Sequence, residues 1–370
     1  MKGLVKLTKE DQMKALSSMI SIRKRKEDQM KTMSRMIPVR ISLCLALAAM
    51  LGAFMASATM AVAQDKAEPY PDRLQKWVDG GKYVKFEGLD IFVHTSGEDP
   101  VKGHGVLVVH GYPGSSWDFA DVASKVQKKT KIVVPDMIGF GQSDTPLKGT
   151  FKENFSLFRQ ADLYEAVAAA EGLETVILVA HDMGQTVGLE LMARQEEGKL
   201  PFRIKHAILL NGSTIVDLID TTPGQEASLK APDKALTKEP PREEWYKDLT
   251  PTYGAKMQSK NGAVKKALDC QIAQIYANDG AKVMGNIVRY LLERKEFYDR
   301  WVGTFTGFHS APMTVLWGLD DPVAKTAMAD RVKAWRPETD LYKLEGVGHW
   351  PSIEVPDVIS EAILHRLPSE

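Results

Sequence analysis

The 370-residue sequence predicts an α/β protein in which a mostly parallel sheet carries helices on both faces and a helical insertion. Apolar runs alternate with helical patterns along most of the chain, which is typical of parallel strands joined by crossover helices. Several runs are continuously apolar, as expected for strands buried on both faces. The interval 213–306 breaks the alternation and is too long for a loop in a compact domain.

The apolar runs predict eight strands. Strands 82–86 and 89–95 are separated by Glu87-Gly88 and form a hairpin. The other strands are predicted at 105–110, 131–135, 175–180, 204–211, 313–317 and 340–344. Helical patterns occupy 117–126, 155–170, 183–195, 324–335 and 355–366.

These patterns divide the chain into four parts. The predicted parts are an N-terminal extension at 1–63, a first core segment at 64–212, a helical cap at 213–306 and a second core segment at 307–370. The cap contains several prolines and helical patterns rich in Lys, Glu and Ala. We expect it to cover the edge of the sheet where the parallel strands end.

The formal net charge of zero hides an uneven distribution. Residues 1–63 hold 11 Lys and Arg against 4 Asp and Glu, and the remainder holds 37 basic and 44 acidic residues, a net charge of −7. A mildly acidic body without a basic stripe argues against a nucleic-acid partner. No Cys-x-x-Cys pair or Cys/His cluster is present, so we predict neither a metal nor a cofactor.

The N-terminal extension predicts an export signal. Arg35 and Arg40 precede an apolar stretch at 41–60, and the Ala-Val-Ala run at 61–63 is typical of a cleavage site. Cleavage after Ala63 would leave a periplasmic or secreted protein without a stable membrane anchor. The alternative is an uncleaved anchor, which the short apolar core and the missing basic stop-transfer group disfavour.

The predicted chemistry centres on a turn at Asp182. This residue lies between a β-branched strand pattern and a helical pattern, and the small residues Ala180 and Gly184 flank it. A sharp strand–turn–helix exposes the central side chain and aims the first helical amides at its target. A carboxylate at that position predicts attack on carbon to form an alkyl ester with the enzyme. The alternative is an aspartate that merely caps the helix.

Other motifs follow the remaining predicted strands. The turn 110–114 could place the backbone amide of Tyr112 beside that of Met183, which would form an oxyanion hole. The glycine-containing loop 135–144 is predicted to be structural, held by Asp136 and Ser143.

A carboxylate and a histidine complete the predicted constellation. Asp321 is the preferred partner for orienting a histidine, with Asp320 as the alternative. His349, flanked by glycine in a loop after the last strand, is the predicted base, and its place last in chain order fits a hydrolase triad. His110 and His181 lie inside turns and are interpreted as packing residues.

The motifs HGYP, PDMIGFGQSD, HDMG, WGLDDP and GHWP occur in this order. The set resembles the α/β-hydrolase superfamily, in the branch with an aspartate nucleophile that includes epoxide hydrolases and haloalkane dehalogenases. The resemblance extends from about residue 83 to the C-terminus and implies an eight-stranded α/β-hydrolase fold with a helical cap. Residues 290–303 also resemble the mesoderm-specific transcript subgroup.

The resemblance implies roles for individual residues. Asp182 matches the nucleophile, His349 the base and Asp321 the third triad member. The backbone amides of Tyr112 and Met183 match the oxyanion hole. Dehalogenases usually carry asparagine at the position of Tyr112 and tryptophan at the position of Met183, and these two side chains bind the halide. This sequence departs from the dehalogenase pattern at both positions.

Epoxide hydrolases use lid tyrosines to protonate the epoxide oxygen. Tyr290 is the best match for that acid, and Tyr246, Tyr253 and Tyr276 are alternative second partners. Packing alone would also explain tyrosines in a helical cap.

The function that the sequence predicts is hydrolysis of a small hydrophobic epoxide to a diol through an alkyl-enzyme ester, without a cofactor. One alternative is a haloalkane dehalogenase that uses unusual halide donors such as Trp350. A second alternative is a ligand-binding protein on a hydrolase scaffold, because a fold by itself does not determine activity.

Overall fold

The computed structural model describes residues 70–367. The predicted export signal and its cleavage site after Ala63 therefore lie outside the described residues. Within residues 70–367, no helix has both the length and the apolar character needed to cross a membrane.

The predicted eight-stranded, mostly parallel sheet is confirmed. Its order is β1-β2-β4-β3-β5-β6-β7-β8, and only β2 runs antiparallel to its neighbours β1 and β4. The strands are β1 (Gly81–Phe86), β2 (Leu89–Ser96), β3 (His104–Val109), β4 (Ile132–Pro135), β5 (Thr175–His181), β6 (Arg203–Leu210), β7 (Met313–Gly318) and β8 (Asp340–Leu344).

Helices connect the strands, as the alternating pattern predicts. Those of the core before β6 are α1 (Tyr70–Asp79), α2 (Ala120–Val126), α3 (Phe151–Asn154), α4 (Leu157–Ala170) and α5 (Met183–Glu196). Those between β6 and β7 are α6 (Pro223–Lys230), α7 (Arg242–Leu249), α8 (Ala255–Gln258), α9 (Ala263–Tyr276), α10 (Met284–Ile287), α11 (Tyr290–Glu296) and α12 (Tyr298–Gly307). The helices after β7 are α13 (Thr326–Trp335), α14 (Pro351–Glu354) and α15 (Pro356–Leu364).

The sheet is buried on both faces, which explains its continuously apolar strands. Along β3, Val106 and Val108 pack on the face covered by α2 and α15, and Leu107 and Val109 pack on the face covered by α4 and α5. All four side chains are fully buried. Successive residues of a strand point to opposite faces, so a strand between two helical layers is apolar at every position.

The interval between β6 and β7 is helical, and its last helix packs against the core. In α12, the Trp301 indole N–H donates a hydrogen bond to the Glu190 carboxylate of α5 at 3.0 Å. Arg300 binds the same carboxylate at 2.6 Å. These contacts place α12 with the core helices, while α6, α7, α10 and α11 contribute residues to the cavity described below.

The start of α5 lies unusually close to the end of β3. A Cβ atom built on Gly184 would lie 2.1 Å from the carbonyl oxygen of His110 and 2.6 Å from that of Val109. These contacts are with backbone, which cannot rotate away. Only glycine therefore fits at this position, and the close approach determines where the turn before α5 can lie.

Replacing Gly184 by alanine should destabilise the protein. We expect a loss of about 1–3 kcal/mol in the free energy of unfolding, since the helix must shift to relieve the overlap. Gly303, exposed in α12, is a matched control because its Cβ would meet nothing within 4 Å. Gly303→Ala should be stabilising by about 0.5–1 kcal/mol. Equal denaturation midpoints for the two variants would contradict the close approach.

Candidate active site

Asp182 occupies a strained turn between β5 and α5. Its φ is 49° and its ψ is −116°, a conformation that costs a non-glycine residue about 1–3 kcal/mol. Its side chain makes no capping hydrogen bond to α5, so the alternative interpretation as a helix cap does not describe it. Gly111 leaves room for the turn, because a Cβ there would lie 2.6 Å from the Cβ of Asp182.

The two carboxylate oxygens of Asp182 have different surroundings. Oδ2 accepts a hydrogen bond from the backbone amide of Tyr112 at 2.9 Å. Oδ1 lies 3.5 Å from the Ser213 hydroxyl and 3.9 Å from Nε2 of His349. Met183 is the first residue of α5, and its amide has no acceptor within the helix. The Tyr112 amide thus lies on the Oδ2 side of the carboxylate, and His349 lies on the Oδ1 side.

His349 is oriented by Asp321. Its Nδ1 lies 2.8 Å from Oδ2 of Asp321, and that oxygen also accepts a hydrogen bond from the Asn211 amide group at 2.7 Å. The other oxygen, Oδ1, accepts the backbone amides of Val323 at 2.7 Å and Ala324 at 3.0 Å. Both oxygens of Asp321 thus accept hydrogen bonds that fix the orientation of its carboxylate. The carboxylate in turn fixes the orientation of the imidazole.

Asp320, the alternative partner of the histidine, lies elsewhere. Its carboxylate accepts the backbone amide of Ala255 in the cap at 2.9 Å. The loop of His349 is instead held by Glu354, whose carboxylate accepts the amides of Gly348 at 3.0 Å and Trp350 at 3.2 Å. Glu354 thus holds the loop on both sides of His349 through these two backbone amides.

The cap also holds this loop. The backbone amide of His349 donates to the carbonyl oxygen of Thr252 at 2.7 Å, and the Trp350 indole donates to the Thr252 hydroxyl at 2.7 Å. The indole N–H considered as a halide donor is therefore already engaged. His181 and His110 are fully buried. His181 forms a hydrogen bond with the carbonyl oxygen of His349, and His110 accepts one from the backbone amide of Met137.

Opposing effects act on the pKa of His349. Burial lowers it, but the charge of Asp321, the hydrogen bond to Asp321 and the charges of Asp182 and Glu354 raise it to about 9. The imidazole is therefore protonated at neutral pH.

Tyr290 lies in the same cavity as Asp182 and His349, and its side chain is buried. The side chain of Tyr112 also lines this cavity, with its ring centroid 5.8 Å from that of Tyr290. Burial and the charge of Asp182 raise the pKa of both phenols, so both are protonated. The Tyr112 hydroxyl makes a long hydrogen bond of 3.4 Å to the carbonyl oxygen of Met284.

The other tyrosines considered as second acids do not line this cavity. The Tyr246 hydroxyl donates to Asp269 at 2.5 Å, and the Tyr253 hydroxyl donates to Gln271 at 2.6 Å. The Tyr276 hydroxyl donates to a backbone carbonyl of the cap. Sequence analysis considered only the backbone of Tyr112, although its place in the turn motif already put it near Asp182.

The cavity has a volume of about 400 Å³ and lies between the strand ends and the cap. The apolar lining from the cap includes Ala231, Trp245, Leu249, Met284 and Val288. Lys238, Glu244 and Asp248 also line it, and all three are exposed. Among residues 70–367, no three His, Cys, Asp or Glu side chains are placed to hold a metal ion.

Arg294 is a further residue that sequence analysis missed. It is fully buried, and it donates a hydrogen bond to the carbonyl oxygen of Asp182 at 3.1 Å. The spacing between Arg294 and Tyr290 could have indicated it, because residues four apart lie on one face of a helix and Tyr290 was already a candidate site residue.

The pKa of His349 makes stability depend on pH. The folded value of about 9 lies above the ordinary value of 6.5, so the stabilisation is complete below pH 6.5 and is lost as the pH rises to 9. The unfolding free energy of the wild type, relative to His349→Gln, should fall by roughly 3 kcal/mol across that window. Asp321→Asn should reduce this fall, and Asp320→Asn should preserve it. A difference that stays constant with pH would contradict the assignment.

Comparison with known proteins agrees with this geometry. Residues 106–356 match the profile of the family described as alpha/beta hydrolase fold. The chain is 32% identical over 295 residues to the protein named "Putative hydrolase LipZ" of Mycobacterium tuberculosis, covering 80% of this chain and 98% of that protein. It is 27% identical over 293 residues to the mesoderm-specific transcript homolog protein of Bos taurus, covering 76% of this chain and 84% of that protein. The resemblance to that subgroup is thus confirmed.

A solved structure supports the fold. The thermophilic esterase of Thermogutta terrifontis superposes with a TM-score of 0.58 at 16% identity, covering 77% of this chain and 96% of that one. The matched profile spans more than half of the sequence and includes the turn at Asp182, the Asp321 loop and His349. The chain therefore belongs to the α/β-hydrolase family and is a hydrolase.

Proposed function

We propose that this hydrolase opens small hydrophobic epoxides through a covalent alkyl-enzyme ester on Asp182. The observation that carries the proposal is the carboxylate itself, which stands at the strained turn where esterases carry a hydroxyl. Two protonated phenols, those of Tyr112 and Tyr290, line the same cavity. A carboxylate nucleophile opposite a proton donor is the arrangement that epoxide opening requires.

In the first step, Oδ1 of Asp182 attacks a ring carbon and the carbon–oxygen bond of the epoxide breaks. Oδ2 stays on the Tyr112 amide and becomes the carbonyl oxygen of the ester. The departing oxygen takes a proton from Tyr290 or Tyr112, which leaves a phenolate. General acid catalysis of this kind contributes about 10²–10⁴-fold in rate.

In the second step, His349 activates a water molecule. Alkylation removes the charge of Asp182, which is one of the charges that raise the pKa of His349. The imidazolium can then return its proton to the phenolate and act as a base. It takes a proton from water, and the hydroxide attacks Cγ of the ester.

The resulting tetrahedral intermediate carries its negative charge on Oδ2. The Tyr112 amide, which already donates to Oδ2, would stabilise it together with the amide of Met183, and one such donor is worth about 2.7–4 kcal/mol. Collapse breaks the bond between Cγ and the alkoxide oxygen. The protonated His349 gives its proton to that oxygen, which releases the diol, and takes up the proton of the added hydroxyl, which restores the Asp182 carboxylate and the imidazolium. The apolar lining from the cap favours hydrophobic substrates and limits the entry of bulk water.

Trapping the intermediate tests the nucleophile. With styrene oxide as a probe, Asp182→Asn should abolish turnover, and His349→Gln should accumulate an adduct of one substrate mass because the ester is no longer hydrolysed. Intact-mass spectrometry and peptide mapping would locate the adduct. The exposed His309 provides the control, since His309→Gln should turn over without accumulation. An adduct on another residue, or diol formation by Asp182→Asn, would exclude the proposal.

Removing the two phenols tests the acid. We expect Tyr112→Phe and Tyr290→Phe each to slow adduct formation in the His349→Gln background, and the double variant to lose about 10²–10⁴-fold. Tyr246→Phe is the matched control, because its hydroxyl bonds to Asp269 and its side chain does not line the cavity. If the double variant alkylated at the parent rate, the proton donor would have to be another group.

A further inference from the structure

A buried guanidinium lies beside the turn that carries Asp182. Arg294 projects from α11 and is fully buried. Its Nε donates to the Thr186 hydroxyl at 2.7 Å, and its Nη2 donates to the carbonyl oxygen of Asp182 at 3.1 Å. Its Nη1 donates to both the hydroxyl and the carbonyl oxygen of Ser213, at 2.7 and 3.1 Å. One side chain thus joins α11, the nucleophile turn and the loop after β6.

This charge is held at a cost. Among the described residues, no carboxylate oxygen lies within ion-pairing distance of the Arg294 guanidinium, and its hydrogen bonds go to neutral oxygens. Burial lowers the pKa of Arg294, while the neighbouring Tyr290 and the charge of Asp182 act in the opposite direction. A buried charge without an ion-pair partner costs several kcal/mol. A purely structural contact could be made by an uncharged side chain.

The guanidinium also faces Tyr290. Its carbon lies 4.5 Å from the centroid of the Tyr290 ring, one helical turn earlier in α11. Burial and the charge of Asp182 raise the pKa of Tyr290, whereas Arg294 lowers it through its charge and a hydrogen bond. Arg294 therefore stabilises the phenolate that forms when Tyr290 gives up its proton.

A second connection runs through Ser213. The Ser213 hydroxyl accepts a hydrogen bond from Arg294, so its own proton is directed to another acceptor. Oδ1 of Asp182 lies 3.5 Å away on that side. The same guanidinium thereby orients a donor toward the oxygen that attacks in the proposed reaction.

We propose that Arg294 is a positioning residue for the alkylation step. It fixes Tyr290, the Ser213 hydroxyl and the backbone of Asp182 relative to one another, and its charge stabilises the phenolate that forms during the step. This inference rests on the proposed function, because alkylation of Asp182 is the step that it serves.

The experiment measures adduct formation with styrene oxide in the His349→Gln background. Arg294→Gln should slow alkylation by about 10²-fold, the size expected for misplaced reacting groups. The substrate concentration for half-maximal rate should stay unchanged, since Arg294 does not line the cavity. Arg300→Gln is the matched control: it removes an arginine bound to Glu190 and Glu197, away from the cavity, and should alkylate at the parent rate.

A conservative variant keeps the test decisive if Arg294→Gln does not fold. Lysine retains the charge but cannot make the forked contacts, so Arg294→Lys should alkylate more slowly than the parent and faster than Arg294→Gln. Circular dichroism would give the folded fraction to which each rate is normalised. A parent rate in either Arg294 variant would overturn the inference and leave the proposed function intact. An absence of any adduct in the His349→Gln parent would overturn both.

Discussion

The close approach of β3, β5 and α5 is the constraint on which the site depends. Gly184 allows α5 to begin against the backbone of β3, and Gly111 leaves space for the side chain of Asp182. Asp182 lies in the turn between β5 and α5 with a φ of 49°, and this backbone conformation directs its carboxylate away from the sheet. Strain of about 1–3 kcal/mol persists only where surrounding packing over-determines the conformation. Here the buried parallel sheet provides that packing, because β3 and β5 pair along their whole length.

The part of the site that contains His349 is held by contacts between the core and the cap. His349 is aimed by Asp321 through its side chain and by Thr252 of the cap through its backbone. Glu354 accepts amides from the histidine loop and also from Gly254 of the cap. A displacement of this cap segment would therefore move His349 as well as open the cavity. Access of substrate and alignment of the imidazole are coupled by these bonds.

Local chemistry explains which parts could be predicted from sequence. The turn at Asp182 and the eight strands follow from neighbouring residues, since small residues permit the turn and apolar runs mark buried strands. The contacts of Arg294 with Ser213 join positions 81 apart in sequence, and no periodicity indicates them. Asn211 reaches Asp321 across the sheet edge in the same way. The first contact depends on how the cap folds back onto the core and the second on β6 and β7 becoming neighbours in the sheet, and packing of the whole chain determines both.

The charges of the site explain why both halves are needed. Before reaction, the protonated His349 lies between the carboxylates of Asp182 and Asp321, and the buried Arg294 binds the backbone carbonyl of Asp182. Alkylation in the proposed reaction neutralises Asp182 and transfers the negative charge to a phenolate, which Arg294 stabilises. Without the charge of Asp182, His349 binds its proton less tightly and can return it to that phenolate. The positive charge that assists the first step thus remains in place while the imidazole becomes the base for the second.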